Sequence, residues 1–178
     1  MSNIENQLDK MLKSNGKISN TQGINLAYDS PNKVYIKDNN MYIAGTSSSS
    51  DWIDNFTKLK FGKIREMERY KQAKELLEQN PQVKTLVGHS MGGSVVLALA
   101  KDYPDRDMAT YTYDAPVFSL GFDQPTERHK RFRSAGDLIS AFDGSSISYN
   151  TDSLNPLSNH NINRLNNIDE TIPPLTLP

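Results

Sequence analysis

A short β-rich run, Val83-Lys84-Thr85-Leu86-Val87, passes without a break into Gly88-His89-Ser90-Met91-Gly92-Gly93. An almost purely apolar stretch follows, Val95-Val96-Leu97-Ala98-Leu99-Ala100. The first part predicts a strand and the last part a buried helix over residues 94–103. Between them the chain must turn sharply at Gly88-x-Ser90-x-Gly92. Such a turn strains the backbone of its central residue. Flanking residues without side chains let it close and keep the serine hydroxyl exposed. The helix start below offers amide groups and the positive end of a dipole to a developing negative charge. The plain alternative is a tight turn with an incidental serine. Gly93 and the apolar helix favour a serine set out for reaction.

The segments around this unit alternate between strand and helix patterns. Ser2 and Glu5 form a capping-box pair, and Ile4, Leu8, Met11 and Leu12 share one helical face up to Gly16. Residues 20–28 predict a second short helix. Residues 33–37 and 41–45 predict two strands joined by a turn at Asp38-Asn39-Asn40. Asp51 predicts the cap of a short helix carrying Trp52, Ile53 and Phe56. Ile64, Met67, Tyr70, Ala73, Leu76 and Leu77 have helical spacing, closed by Asn80-Pro81. Residues 108–113 and 130–134 predict strands, with a hairpin near Ile147 and a short helix after His160. The alternation predicts an α/β fold whose central sheet is mostly parallel and flanked by helices. With 178 residues, the chain suits one domain over residues 1–178. Residues 1–30 form an N-terminal helical segment of it, and residues 168–178 an extended tail.

Composition narrows the chemistry. Twenty Lys and Arg against 21 Asp and Glu argue against a general nucleic-acid binder. With no cysteine there is no disulfide, thiol nucleophile or thiolate metal site. The three histidines, His89, His129 and His160, are too few for a multi-histidine metal site, so no metal or other cofactor is expected. No apolar run reaches the roughly 18 residues that suggest a membrane span. The first residues lack a basic start followed by an apolar stretch, so no signal peptide is expected and the chain reads as cytoplasmic.

A nucleophilic serine needs a base. With a serine on a strand-to-helix turn, the expected chain order is serine, acid, histidine. His129 lies in the basic stretch Arg128-His129-Lys130-Arg131, which opposes protonation of an imidazole. His160, in the polar loop Leu157-Ser158-Asn159-His160-Asn161, is the better candidate. For the acid, Asp137 follows a β-like stretch through Gly136 and precedes Leu138-Ile139, which suits a carboxylate that orients an imidazole. Asp114, after Tyr111-Thr112-Tyr113, is the other candidate, although Ala115-Pro116 beside it equally suits a structural turn. His89 is too close in sequence to Ser90 to act as its base.

These pieces together resemble the class 3, or fungal-type, lipase family of α/β-hydrolases. The similarity runs over roughly residues 33–165. It is carried by Met41-Tyr42-Ile43-Ala44-Gly45-Thr46, Asp51-Trp52, Val87-Gly88-His89-Ser90-Met91-Gly92-Gly93-Ser94, Thr112-Tyr113-Asp114-Ala115-Pro116, Arg133-Ser134-Ala135-Gly136-Asp137-Leu138-Ile139 and His160. The compactness is similar to that of lipase-like proteins of large DNA viruses and phages, which would extend the expected location to a host cell or virion. The resemblance implies a compact α/β-hydrolase fold and a serine esterase or lipase acting on lipid or small esters. Ser90 would be the nucleophile, Asp137 the acid and His160 the base. Thr46 and the backbone amide of Met91 would form the oxyanion hole. Asp114 stands where the family usually has glycine. The alternatives are a silent hydrolase fold serving as a binding or structural module, and an acyltransferase using the same triad.

The resemblance also implies pocket-flanking elements over residues 47–61. Trp52, the only tryptophan, and Phe56 lie there, and Pro116 and Val117 would line the pocket as well. Core packing of a short helix is the plainer role for Trp52 and Phe56. Residues 58–74 hold seven basic and two acidic residues. Such a run suits a solvated helix face, or peripheral contact with anionic lipid.

Overall fold

The computed structural model describes residues 17–46, 63–116, 126–134 and 147–149. Helix α1 spans Asn20–Asp29, with Ser19 and Gln22 forming a reciprocal capping box. Strands β1 (Val34–Lys37) and β2 (Asn40–Ile43) make an antiparallel hairpin, Val34 opposite Ile43 and Lys37 opposite Asn40. The turn is therefore Asp38-Asn39, one residue shorter than the sequence predicts. Asp38 takes a positive φ of 54° there, which aspartate tolerates better than most residues.

Helix α2 spans Glu68–Gln79 and is preceded by a 3-10 turn at Ile64–Glu66. The helical spacing from Ile64 onward is thus shared by two elements. Met67 between them is extended, at φ −71° and ψ 141°. Strand β3 is Thr85–His89 and helix α3 is Met91–Asp102. A 3-10 turn at Pro104–Arg106 and strands β4 (Ala109–Tyr113), β5 (His129–Ser134) and β6 (Ile147–Tyr149) complete the described elements.

All six strands join one sheet in the order β1-β2-β3-β4-β5-β6. Only the β1–β2 pair is antiparallel; β2 through β6 run parallel. The expected mostly parallel α/β sheet is therefore present. β6 pairs in parallel with β5, Phe132 opposite Ile147; the residues that flank β6 and would complete the hairpin expected near Ile147 lie outside the described residues.

Alternation along the strands sends side chains to two separate cores. Met41, Ile43 and Leu86 pack with Tyr70, Ala73 and Leu77 of α2 and Val95, Val96 and Leu99 of α3. Tyr42, Ala44, Val87, Tyr113 and Phe132 pack with Ile24 and Ala27 of α1 on the other face. The placement of α2 and α3 on one face follows from right-handed crossovers that all step in one direction across the sheet. Gly23 brings α1 against Tyr42, whose ring fills the place a side chain at Gly23 would take. No described helix is long and apolar enough to cross a membrane. The expected helices near residues 2–15, at Asp51 to Phe56 and after His160, and the tail at 168–178, lie outside the described residues.

Candidate active site

Ser90 sits at the junction of β3 and α3, at the carboxyl end of a central parallel strand. Its backbone has φ 54° and ψ −130°. The ψ lies far from the left-handed helical basin near +47°, so the residue is strained and not simply left-handed. Surrounding bonds hold it there. Its amide donates to the carbonyl of Tyr113 at 2.8 Å, and its own carbonyl accepts from the amide of Gly93 at 2.9 Å. Ser90 is 5% exposed.

The glycines act through space as much as through backbone freedom. A Cβ at Gly88 would lie 2.5 Å from the carbonyl oxygen of Gly92, and one at Gly93 would lie 2.6 Å from Ala115 Cβ. A Cβ at Gly92 would fall on the carbonyl oxygen of Ile43. Strand β3, helix α3 and the end of β2 therefore approach too closely for any side chain at these positions. Helix α3 begins at Met91, three residues earlier than the sequence predicts, with Gly92 and Gly93 inside its first turn. Met91 is the first residue of that turn, where amides have no partner within the helix.

The segment after β2 reaches the same place. Strand pairing ends at Ile43, and Ala44, Gly45 and the half-buried Thr46 leave the sheet. A Cβ on Gly45 would stand 2.8 Å from Ser90 Cβ and 3.0 Å from the His89 carbonyl oxygen. Thr46 is thus the residue immediately following one whose Cβ would touch Ser90. Arg69 of α2 donates from one terminal nitrogen to the carbonyl oxygens of Ala44 at 2.7 Å and Gly45 at 3.3 Å. Burial pushes its guanidinium below the usual arginine range, partly offset by Tyr28.

On the opposite face, the buried His89 imidazole meets the Tyr28 hydroxyl through Nδ1 at 2.8 Å. The same hydroxyl accepts from the Gly45 amide at 3.1 Å. One oxygen therefore contacts both the Gly45 amide and the His89 ring, and the direction of the Tyr28–His89 bond follows the His89 tautomer. Nε2 faces Asp114 Oδ2 at 4.0 Å. Burial pushes the Tyr28 hydroxyl up to about 12, against opposing effects of the Gly45 amide and Arg69. His89 thus joins a polar network behind the serine.

Compared with models of known protein families, with curated proteins and with solved structures, the chain finds no significant match. The site is therefore read from its own geometry.

That geometry separates two of the candidates. His129 opens β5 and pairs with Thr110, itself opposite Leu86. It therefore lies about 13 Å below Ser90 along the strand direction. Its Nδ1 pairs with Thr110 Oγ1 at 3.0 Å. His129 belongs to the amino-terminal end of the parallel strands, opposite to the end that carries Ser90, and cannot serve Ser90. Asp114 is fully buried just beyond β4, at φ 50°, and accepts from the Ser134 amide at 2.5 Å and hydroxyl at 2.9 Å. It ties β4 to β5 and faces His89.

Pro116 is buried, and its carbonyl oxygen accepts from Ser94 Oγ at 2.7 Å, which ties the chain after β4 to α3. Asp137, His160, Trp52, Phe56 and Val117 lie outside the described residues. In the basic stretch, Arg65 pairs with Asp102 at 2.5 Å, and Lys63 and Lys74 each approach a glutamate at 3.9 Å. These three basic residues are exposed, whereas Arg69 of the same stretch is turned toward the Ala44 and Gly45 carbonyls. The contributions of Tyr28 and Arg69 were missed in the sequence. Their only signal was that each falls on a predicted helix packed against the glycine-rich turn.

Proposed function

We propose that this chain is a serine hydrolase that cleaves carboxylic esters, most specifically the acyl esters of lipids. The observation that carries the reading is the Ser90 backbone, at φ 54° and ψ −130°, on a strand-to-helix turn with no space for side chains at Gly88 and Gly92. Strain of this kind persists only where the surroundings impose it, and it concentrates at functional sites. The amides of the first turn of α3 and the Ala44-Gly45-Thr46 segment beside Ser90 support an oxyanion site. The resemblance to class 3 lipases supplies the rest of the reading: the α/β-hydrolase fold, Asp137 and His160 as partners, and the lipid acyl group.

In this mechanism His160 takes the Ser90 proton as Oγ attacks the ester carbonyl. Asp137 holds the imidazole and stabilises its charged form. Thr46 and the Met91 amide bind the oxyanion. The C–O bond to the alcohol breaks, and the alcohol leaves with the proton from His160. Water, deprotonated by the same histidine, then attacks the acyl-enzyme and releases the acid and Ser90.

The test is intact-mass analysis after treatment with a fluorophosphonate, on wild type, Ser90→Ala and His160→Ala. One adduct on the wild type, absent from both variants, is the expected result. No adduct on folded wild type, with or without lipid vesicles, refutes the reading and favours a binding module. Product analysis with an alcohol acceptor separates hydrolysis from acyl transfer.

A further inference from the structure

We propose that Tyr28 and Arg69 are positioning residues for the segment Ala44-Gly45-Thr46, holding Thr46 in register with Ser90. The proposal rests on the ester-hydrolase reading above.

The need for such residues follows from the sheet. Ladder pairing ends at Ile43; the Ala44 amide still bonds the Lys33 carbonyl, and the remaining polar groups of Ala44 and Gly45 need other partners. They find them on both sides. From the face of α2, Arg69 takes the carbonyl oxygens of Ala44 and Gly45. From the face of α1, the Tyr28 hydroxyl takes the Gly45 amide. The peptide chain ahead of Thr46 is therefore pinned between side chains of two helices that pack on opposite faces of the sheet.

Tyr28 does more than pin one amide. Its hydroxyl also bonds His89, the residue before Ser90. One oxygen thus ties the end of β2 to the turn that carries the serine. The absent side chain at Gly45 lets the two segments touch, with a Cβ there only 2.8 Å from both Ser90 Cβ and the Tyr28 hydroxyl oxygen. The bonds to Tyr28 and Arg69 fix the peptide units of Ala44 and Gly45 from which Thr46 projects. A guanidinium suits its place because its planar array of donors is rigid and its charge strengthens bonds to carbonyl oxygens.

The experiment measures turnover of a short-chain p-nitrophenyl ester by Tyr28→Phe, Arg69→Gln and Arg69→Lys. Each is made alone and with Thr46→Val, and fluorophosphonate labelling counts the competent sites. Tyr28→Phe and Arg69→Gln should each lower kcat about 10-fold per competent site with KM nearly unchanged, as misplacement of a transition-state donor does. Arg69→Lys should recover part of the loss. In the Thr46→Val background the penalties should shrink to about twofold, because residues acting on one donor are not additive.

Wild-type labelling with undiminished kcat, or with penalties that simply multiply those of Thr46→Val, overturns the positioning role and leaves the hydrolase reading intact. No labelling and no turnover in wild type overturns both. Should Tyr28→Phe fail to fold, the two Arg69 variants carry the same cycle.

Discussion

An alanine-to-glycine step at position 90 should behave unlike the same step a few residues later in the same helix. At Ser94, buried and helical, glycine in place of alanine should cost about 1 kcal/mol in backbone terms, plus the lost methyl burial. At Ser90 the methyl is lost too, and glycine again carries its unfolded-state entropy of about 0.4–1 kcal/mol. The difference is the positive φ of 54° with ψ −130°, which costs a residue bearing a Cβ about 1–3 kcal/mol and glycine almost nothing. The hydroxyls do not enter, because Ala and Gly variants at one site both lack them. The step at 90 should therefore be more favourable than the step at 94 by about 2 kcal/mol. For a chain of this length that is roughly 6 °C in melting temperature. Urea unfolding of the four variants, followed by circular dichroism, reads the difference directly, provided the m-values agree. A difference under about 0.5 kcal/mol would refute the argument that Ser90 is held under strain.

Two other outcomes follow from the same packing. Gly92→Ala raises intrinsic helix propensity, yet its Cβ meets the Ile43 carbonyl oxygen and lies 2.7 Å from that of Ala44. Neither backbone group can yield cheaply, so overpacking should outweigh propensity by about 1–3 kcal/mol and lower the urea midpoint; a raised midpoint would contradict the close approach. Alkaline pH should destabilise the fold, because burial pushes the hydroxyls of Tyr28 and Tyr103 up to about 12 from an ordinary value of 10.0. The folded state then holds protons that the unfolded state has released, so this stability is intact below pH 10 and falls as pH rises toward 12. Urea midpoints at pH 9 and pH 11 should differ, and Tyr28→Phe should reduce the difference.

Much of the architecture was readable because local patterns and tertiary packing agree in it. The hairpin, α1, β4 and β5 fall within two residues of where alternation and turn residues put them, whereas β3 starts and ends two residues later than its β-rich run, at Thr85–His89. The start of α3 was misplaced for an instructive reason. Glycines are poor helix formers, so local propensity delays the helix to Ser94, whereas close packing against β2 and β4 requires Gly92 and Gly93 inside its first turn. The single spacing from Ile64 to Leu77 hid a break at Met67, because a 3-10 turn and a helix bury the same apolar side. At the site, Ser90 and its glycines were legible from chain order alone. The Tyr28–His89 contact was not, since its partners lie 61 residues apart and meet only when α1 covers the second face of the sheet. Asp114 was weighed as a catalytic acid. Its bonds to the Ser134 amide and hydroxyl depend on strand pairing that residue type and spacing cannot reveal.

The strand order has a consequence for how this protein comes into being. From the β1–β2 hairpin to β6, each new strand is laid against the one made just before it. None of the described strands has to be threaded between two already in place. Every pairing among the described strands is therefore between sequence neighbours, which shortens the loops that must close before they can assemble. Assembly can begin at the amino-terminal hairpin and advance in step with synthesis. Ser90 and the β2 end beside it come together when the third strand docks, before the outer strands are added.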